Sequence, residues 1–210
     1  MFKSIQLLIL VLGTLSFSCI SCDKDIDLGD QPEVIDSLIT HTELLVEVTG
    51  FENLDAEAIM LYPADDHKNF NLIREMYNKY KEGYDIVCAS RFVKGGSYKG
   101  APLLKRIIVK LVSFTLTVLT TLPTKDATNG FRLFSKEIVD KFKIESKKGF
   151  TFSIELLAKA HRHNYKITEL PEQWPVRNYG ESKFRYSSIF FYIKWYFYIL
   201  ITSFKNAKKN

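Results

Sequence analysis

The stretch Ala58-Ile59-Met60-Leu61-Tyr62-Pro63-Ala64-Asp65-Asp66 runs from an apolar strand into a turn that carries two adjacent acids. The carboxyl end of a strand in an α/β sheet opens onto the crevice where ligands bind, and carboxylate oxygens suit the hard cations Mg²⁺ and Mn²⁺. Asp65 and Asp66 therefore indicate a metal site, whose ion could neutralise a nucleotide diphosphate. The alternative is a turn in which the same side chains accept hydrogen bonds from backbone amides.

Composition and charge narrow the classes of function. The 210 residues are 46% hydrophobic, which is enough for one α/β domain with short appendages and excludes a disordered chain. The net charge of +5 conceals an asymmetry, because residues 1–66 hold 13 acids against two lysines and residues 67–210 carry +16. The basic part is expected to bind anions. Since the sequence contains no zinc-finger spacing, helix-turn-helix signature or aromatic-basic RNA-binding motif, phosphorylated small molecules and anionic lipid are favoured over nucleic acid.

The first 22 residues resemble an export signal. Lys3 precedes an apolar run from Ile5 to Leu15, and small residues surround Cys19 and Cys22, which is typical of a secretory signal or a lipoprotein leader. A signal-anchor helix is the alternative, although the run is short for a full span. Residues 23–49 are predicted to be a linker of uncertain structure.

Alternating strand and helix patterns follow the linker. Such alternation predicts an α/β fold with a mostly parallel sheet and covering helices. Cys88, within an apolar strand, is expected to be an inert core thiol. The predicted strands are 58–62, 85–90, a short one just before residue 135, and one or two within 165–176. The predicted helices are 70–81, 102–119, 135–142 and 152–162.

A basic stretch follows the second strand. Between Arg91 and Lys110 the sequence has six basic residues and no acid, and Gly95 and Gly96 permit a flexible loop. A local positive potential of this kind suits a phosphate group. Lys94 and Lys99 are interpreted as part of a solvated basic face.

Two segments have the pattern of helices at a membrane interface. In helix 102–119, one side is apolar and another carries Lys105, Arg106 and Lys110, so the helix could lie among lipid headgroups. Burial of its apolar side against the protein core is the competing explanation. The tail from Tyr186 to Phe204 is aromatic and apolar, as is typical of a membrane interface.

Two further segments, around Glu155 and at residues 177–183, carry charged residues that are expected to bind a partner of opposite charge or a polar ligand. Glu155 is a lone acid among apolar neighbours, so it should meet a cation or a polar ligand. Residues 177–183 place Arg177 and Lys183 on either side of a glycine turn. Such a turn could bind a diphosphate, although a surface turn with incidental charges has the same composition.

Five motifs stand in order along residues 50–204. They are Tyr62-Pro63-Ala64-Asp65-Asp66, Ser90-Arg91-Phe92-Val93-Lys94-Gly95-Gly96, Asp126-Ala127-Thr128-Asn129-Gly130-Phe131-Arg132, Gly149-Phe150 through Glu155-Leu156-Leu157, and Arg177 with Gly180-Glu181-Ser182-Lys183. The ordered set resembles the second half of a family-2 glycosyltransferase of the dolichol-phosphate mannosyltransferase type. The family's first half, which binds the nucleotide base and ribose, has no counterpart in residues 1–49.

The resemblance implies a partial nucleotide-diphospho-sugar transferase (GT-A, Rossmann-like) fold with amphipathic helices at the membrane interface. It implies that Asp65 and Asp66 hold Mg²⁺ or Mn²⁺, although Pro63 stands where the family's first acid usually lies. Catalytic roles are implied for these two acids and for Arg91 and Arg177. The implied substrate-binding residues, among which Asp126 and Glu155 only shape the site, are Lys105, Arg106, Asp126, Glu155, Ser182 and Lys183.

The implied reaction is the inverting transfer of a sugar from a GDP- or UDP-sugar to a polyprenyl phosphate at the membrane, on its cytoplasmic face. The alternatives are an inactive fragment that binds lipid phosphate or membrane, and an exported lipoprotein-like fragment. The predicted divisions are a leader-like or anchor segment (1–22), a linker (23–49), a truncated glycosyltransferase domain (50–183), and an aromatic amphipathic helix with a basic tail (184–210).

Overall fold

The computed structural model describes residues 7–12, 17–22, 56–63, 66, 68–99, 101–146, 151–174 and 189–207. Strands and helices alternate through most of these ranges, as the sequence predicts. The strands are β1 (Leu7–Leu12), β2 (Phe17–Cys22), β3 (Ala58–Pro63), β4 (Ile86–Ser90), β5 (Ser97–Tyr98), β6 (Arg132–Ser135), β7 (Ile167–Pro171) and β8 (Gln173–Trp174). The helices are α1 (Phe70–Lys81), α2 (Leu103–Leu119), α3 (Lys136–Lys141), α4 (Thr151–Arg162) and α5 (Ile189–Ala207).

The main sheet has six strands in the order β2-β1-β3-β6-β4-β7. Strands β1, β3, β4 and β7 run in one direction, whereas β2 and β6 run in the other. The α/β class is therefore confirmed. The sheet is mixed and not mostly parallel, because β6 enters antiparallel between β3 and β4 and β2 pairs antiparallel with β1. This arrangement is compatible with a partial GT-A-like glycosyltransferase fold.

The leader-like segment contributes two strands to this sheet. Strand β1 pairs antiparallel with β2 and parallel with β3, in a register that places Leu12 opposite Pro63. A short apolar run is compatible with either an export signal or a buried strand, so its sequence alone does not distinguish them. The remainder of residues 1–22 and the predicted linker 23–49 lie outside the described residues.

Alternate residues of the central strands form two cores. Ile59 and Leu61 of β3 pack on the side covered by α4 and α5, whereas Met60 and Tyr62 pack on the side covered by α1. This division follows from the two-residue period of a strand, which sends neighbouring side chains to opposite faces. Cys88 is fully buried in the first core, and burial raises the pKa of its thiol, as expected of an unreactive core cysteine.

Helix α2 packs against the first core through Leu116 and Val112, while much of its apolar side is exposed. Its buried residues are Ser113 and Leu116, while seven of its large apolar residues expose 48% to 69% of their surface. Within the described residues, no helix is long and apolar enough to cross a membrane. The exposed apolar residues of α2 are Leu103, Leu104, Ile107, Leu111, Phe114, Val118 and Leu119.

Candidate functional site

Three chain segments meet at one edge of the sheet. Strands β3 and β4 run in the same direction, so Asp66 after β3 and Arg91 after β4 leave the sheet at the same edge. Strand β6 runs the opposite way and therefore starts there, preceded by the turn 126–131. Parallel strands of an α/β sheet bind ligands beyond this edge, which makes it the candidate site.

Asp66 is buried, with 6% of its surface exposed, and accepts three hydrogen bonds. Its Oδ1 accepts from the backbone amides of Lys68 and Asn69 at 2.9 and 3.2 Å, and its Oδ2 accepts from Asn69 Nδ2 at 2.6 Å. The same Asn69 amide group bonds the backbone of Gln173 in β8. Asp66 thus joins the turn after β3 to the start of α1 and to β8. Asp65 lies outside the described residues.

Arg91 forms a buried, bidentate ion pair with Asp126. The guanidinium Nε lies 2.6 Å from Oδ2 and Nη2 lies 2.7 Å from Oδ1, while the Arg91 backbone amide donates to Oδ2 at 3.0 Å. Nη2 also donates to Thr128 Oγ1 at 3.1 Å. Burial lowers the pKa of Arg91, but the charge and hydrogen bonds of Asp126 outweigh it, so the net shift is upward and the group stays charged.

Aromatic rings enclose this guanidinium. Its Cζ lies 4.2 Å from the ring centre of Tyr98, 5.4 Å from that of Trp174 and 5.5 Å from that of Phe92. Tyr98 and Trp174 come from β5 and β8, which pair in parallel as a second, two-stranded sheet. The rings attract the cation through their electron-rich faces and hold it in one orientation.

Gly96 makes the tight loop between β4 and β5 possible. A Cβ atom at this position would lie 2.6 Å from the carbonyl oxygen of Ser90 and 2.9 Å from the backbone of Arg91. The loop therefore returns over the end of β4 only because residue 96 has no side chain. This return brings β5 alongside β8, where Tyr98 covers Arg91.

Glu172 is a site residue that the sequence reasoning missed. It is fully buried between β7 and β8, where its Oε2 accepts a hydrogen bond from Asn129 Nδ2. Its Oε1 has no hydrogen-bond partner among the described residues. Burial raises the pKa of Glu172 to about 8; Arg91 and Asn129 oppose the rise, and Asp126 and Asp66 add to it. The sequence feature that could have revealed Glu172 is a lone acid within the short segment from Pro171 to Trp174, whose other residues are uncharged.

Arg132 is a second buried cation, and the described residues place no carboxylate within ion-pair distance of it. It is fully buried at the start of β6 and donates to three carbonyl oxygens. Nη2 bonds those of Asp126 and Ala127 at 3.1 and 2.6 Å, and Nη1 bonds that of Ser153 at 2.8 Å. Arg132 thus holds the turn 126–131 against α4, and this turn in turn presents Asp126 to Arg91.

Glu155 meets a cation, as its apolar surroundings predict. The residue is fully buried on α4, and its Oε1 lies 2.6 Å from Lys159 Nζ. Its oxygens also accept hydrogen bonds from the backbone amides of Glu145 and Ser146, at 2.7 and 2.8 Å. The described contacts of Glu155 are therefore with Lys159 and with the backbone of Glu145 and Ser146, and not with the Arg91–Asp126 pair.

The other predicted site residues are divided between α2 and the part of the chain that the structure does not describe. Lys105 and Arg106 lie in the first turn of α2, where Arg106 is exposed. Arg177, Ser182 and Lys183 lie outside the described residues, so their predicted roles stay predictions.

The fit of a divalent metal depends on the acids after β3. Among the described residues, no group of three or more His, Cys, Asp or Glu side chains could hold a metal ion. The three donors to Asp66 use three of the roughly four lone-pair sites of an ionised carboxylate, so its Oδ2 keeps capacity for one further bond. The donor chemistry of adjacent carboxylates fits Mg²⁺ or Mn²⁺, and the second carboxylate would have to be that of Asp65.

The chain is similar in sequence to several known proteins. The chain is 28% identical over 149 residues to a dolichol-phosphate mannosyltransferase of Pyrococcus furiosus. The aligned residues make up 70% of this chain and 42% of that protein. It is 28% identical over 109 residues to a polyprenol monophosphomannose synthase of Mycolicibacterium smegmatis, covering 51% of this chain and 41% of that protein.

A third relative is a Bacillus subtilis protein named provisionally as a glycosyltransferase, which is 30% identical over 145 residues, or 69% of this chain and 41% of that protein. No family model matches the chain. These similarities support a family-2-like glycosyltransferase. The chain spans about two fifths of the length of the relatives it matches.

Proposed function

We propose that the chain is part of a glycosyltransferase that moves a sugar from a nucleotide-sugar donor to a polyprenyl phosphate at a membrane surface. The observation that carries the proposal is the Arg91–Asp126 pair, which holds a permanently charged guanidinium at the edge where Asp66 also leaves the sheet. The names of two relatives, with dolichol phosphate and polyprenol monophosphomannose in them, support the choice of acceptor.

Arg91 is the residue proposed to hold the acceptor phosphate. Its described contacts use Nε and Nη2, so Nη1 is the nitrogen left, within the described part of the chain, to donate to an anion. A guanidinium fixed before the ligand arrives loses little freedom on binding, which favours both affinity and alignment. Lys105 and Arg106 are proposed to add positive potential at the same acceptor.

The proposed chemistry is a single displacement. An oxygen of the acceptor phosphate, already an anion at neutral pH, forms a bond to the anomeric carbon of the sugar. The bond from that carbon to the nucleotide diphosphate breaks, and the diphosphate leaves with the electron pair, so the anomeric centre inverts. Arg177, Ser182 and Lys183 are proposed to bind the leaving diphosphate, because charge neutralisation is the main requirement of such a step.

Divalent metal is part of the proposal through Asp65 and Asp66. When bound there, Mg²⁺ or Mn²⁺ would supply positive charge to the diphosphate. The remaining acceptor capacity of Asp66 and the acidic pair in the sequence are the support for this assignment.

The binding experiment uses calorimetric titration of the purified chain with GDP- and UDP-sugars in the presence of Mn²⁺. We expect heat that depends on the metal, and binding at least about tenfold weaker in Asp65→Ala, equivalent to about 1.4 kcal/mol. Lys94→Gln is the matched control, since this exposed basic residue is assigned no ligand contact. Binding that is equal with and without metal, or equal in Asp65→Ala, would contradict the proposal.

Contact with a membrane surface is supported by the exposed apolar faces of α2 and α5. On α2 the exposed residues recur every three or four positions, and Arg106 and Lys110 flank them, which fits a helix lying among anionic headgroups. On α5 the exposed apolar residues are Phe190, Phe191, Ile193, Phe197 and Ile201. The cytoplasmic face of the membrane is proposed because it is where nucleotide sugars occur.

Vesicle sedimentation tests this contact. The double variant Ile107→Gln and Leu111→Gln should bind phosphatidylcholine–phosphatidylglycerol vesicles at least about tenfold less, because each buried side chain contributes roughly 1.5–3 kcal/mol. Both residues are more than half exposed, so the fold should persist. Lys110→Gln should weaken binding to anionic vesicles and leave binding to neutral vesicles unchanged. Equal binding of wild type and double variant would exclude α2 as the contact surface.

A further inference from the structure

A polar network under α5 joins three elements that the proposed chemistry does not use. At its centre is the Glu155 carboxylate on α4, with both oxygens bonded to the turn 143–146. Lys159, one helical turn along, lies 2.6 Å from Glu155 Oε1 and also donates to the carbonyl oxygen of Lys143 at 2.6 Å. Three donors satisfy a charge that would otherwise be buried at high cost among the apolar residues of α4.

The turn continues this network to α5. Glu145 Oε2 lies 2.7 Å from Lys194 Nζ, and Trp195 Nε1 donates to Ser146 Oγ at 2.9 Å. The backbone amides of these same two turn residues, Glu145 and Ser146, are the ones that bond Glu155. Glu145 and Ser146, whose side chains contact α5, are therefore both held by hydrogen bonds from their backbone amides to the Glu155 carboxylate.

Charge holds the network together on both sides of the turn. Burial lowers the pKa of Lys159, but hydrogen bonds to Glu155 and Glu145 outweigh it and the net shift is upward. Hydrogen bonds from Lys194 and Lys159 lower the pKa of Glu145. Both ammonium groups also lie over the ring of Trp195, at 4.6 Å for Lys194 and 5.3 Å for Lys159, and this ring is only 2% exposed.

We infer that Glu155 is a positioning residue, which fixes α5 on the domain through the turn 143–146 and so sets how that helix presents its apolar face. The inference rests on the proposed function only for the lipid surface that this face contacts. Glu155 thus shapes the protein beside the site and does not bind substrate through its carboxylate, because its side chain is fully buried and its three described donors all belong to the protein.

Other described polar contacts of α5 are weaker ties. Tyr196 donates to Thr115 Oγ1 of α2 at 2.9 Å, and Arg162 of α4 donates to the Tyr198 hydroxyl at 3.0 Å. These are single, partly or fully solvent-exposed hydrogen bonds, which contribute only about 1 kcal/mol each. Glu155 is instead a buried, charged acceptor of several bonds, whose loss leaves donors unsatisfied.

Tryptophan fluorescence tests the inference without substrate or membrane. The chain has two tryptophans, so Trp174→Phe leaves Trp195 as the reporter. In that background Glu155→Gln should shift Trp195 emission to longer wavelength and raise its acrylamide quenching severalfold, while far-UV circular dichroism stays native. The carboxamide keeps the shape of the carboxyl group but presents an N–H donor to one of the two backbone amides. Unchanged emission and quenching in a folded Glu155→Gln protein would overturn the inference.

Two further variants complete the test. Glu82→Gln is the matched control, because it breaks a surface pair with Lys79 on α1 and should not alter Trp195. Ser146→Ala removes only the acceptor of Trp195 Nε1 and should shift the emission in the same direction by a smaller amount. If Glu155→Gln does not fold, Glu155→Asp takes its place, because the shorter side chain draws the carboxylate away from the backbone amides of Glu145 and Ser146: a shift supports the inference, and no shift overturns it.

Vesicle binding separates this inference from the proposed function. If Glu155→Gln loosens Trp195 and also weakens vesicle binding severalfold, both stand. If wild-type protein does not bind vesicles but Glu155→Gln still loosens Trp195, the membrane proposal fails and the positioning role of Glu155 stands. If Glu155→Gln loosens Trp195 but binds vesicles as well as wild type does, the role of Glu155 in presenting the apolar face is overturned.

Discussion

Two fully buried carboxyl groups at the sheet edge, Asp126 and Glu172, differ in what they contact. Asp126 accepts bonds from the Arg91 guanidinium through both oxygens, whereas Glu172 accepts one bond from the neutral amide of Asn129. The other Glu172 oxygen has no partner among the described residues. Burial disfavours a charged carboxyl group in both places, and of the two only Asp126 has a directly bonded cation among the described residues.

This difference suits the proposed anion-binding edge. Arg91 and Asp126 form a charged pair whose net charge is zero, and the pair keeps the guanidinium in a fixed orientation. With its pKa raised to about 8, Glu172 is mostly neutral at neutral pH and adds little negative charge beside Asp66 and Asp126. Glu172 therefore weakens the attraction of Arg91 for a phosphate less than a third ionised acid beside Asp66 and Asp126 would.

The largest effect is expected from breaking the Arg91–Asp126 pair. Asp126→Ala leaves the Arg91 guanidinium buried without its carboxylate, which should lower the free energy of unfolding by about 3–5 kcal/mol. Urea denaturation followed by circular dichroism measures this loss. Asp126→Asn should cost less, because the amide oxygen can still accept one of the guanidinium bonds.

A double-mutant cycle shows whether the loss comes from the pair itself. Arg91→Met alone leaves Asp126 buried and unpaired, so it should also destabilise the protein. The double variant Arg91→Met, Asp126→Ala should be more stable than the sum of the single losses predicts, because neither charge remains. Strictly additive losses, or a loss below about 1 kcal/mol in Asp126→Ala, would show that the pair is not a strong contact.

The local fold could be predicted from the sequence because its periodicities are regular. The pattern of Leu72, Ile73 and Met76 gives the bounds of α1, and the apolar run from Ala58 gives β3 to within one residue. The antiparallel entry of β6 could not be predicted in this way. The direction of β6 depends on its pairing with β3 and β4, which lie far from it in the chain, and periodicity carries no information on that pairing.

The site was predicted only where a residue type alone restricts its surroundings. A lone acid among apolar residues must find donors, which is why a cation beside Glu155 was predictable; that its partners would include the turn 143–146 was not. Glu172 was missed because its burial results from the parallel pairing of β5 with β8, two strands of two residues each. Such short strands have no detectable period.

A smaller, pH-dependent effect is expected from replacing Glu172. Burial raises the pKa of Glu172 to about 8 in the folded protein, above the ordinary value of a glutamate in an unfolded chain. Between these two values the unfolded chain releases a proton that the folded protein keeps, so this group lowers stability as pH rises. The slope is at most about 1.4 kcal/mol per pH unit, and the loss is complete once pH exceeds the folded pKa.

Glu172→Gln should remove this slope. The glutamine oxygen can still accept the Asn129 bond, and its amide group occupies the place of the protonated oxygen, so the neutral state is mimicked. The stability of the variant minus that of wild type should therefore rise by about 2 kcal/mol between pH 6 and pH 7.5 and level off above pH 8. Urea denaturation across this range measures it, with Glu75→Gln on the exposed side of α1 as the control that should run parallel to wild type. If the Glu172→Gln curve also runs parallel to wild type, Glu172 is ionised in the folded protein, and its contrast with Asp126 disappears.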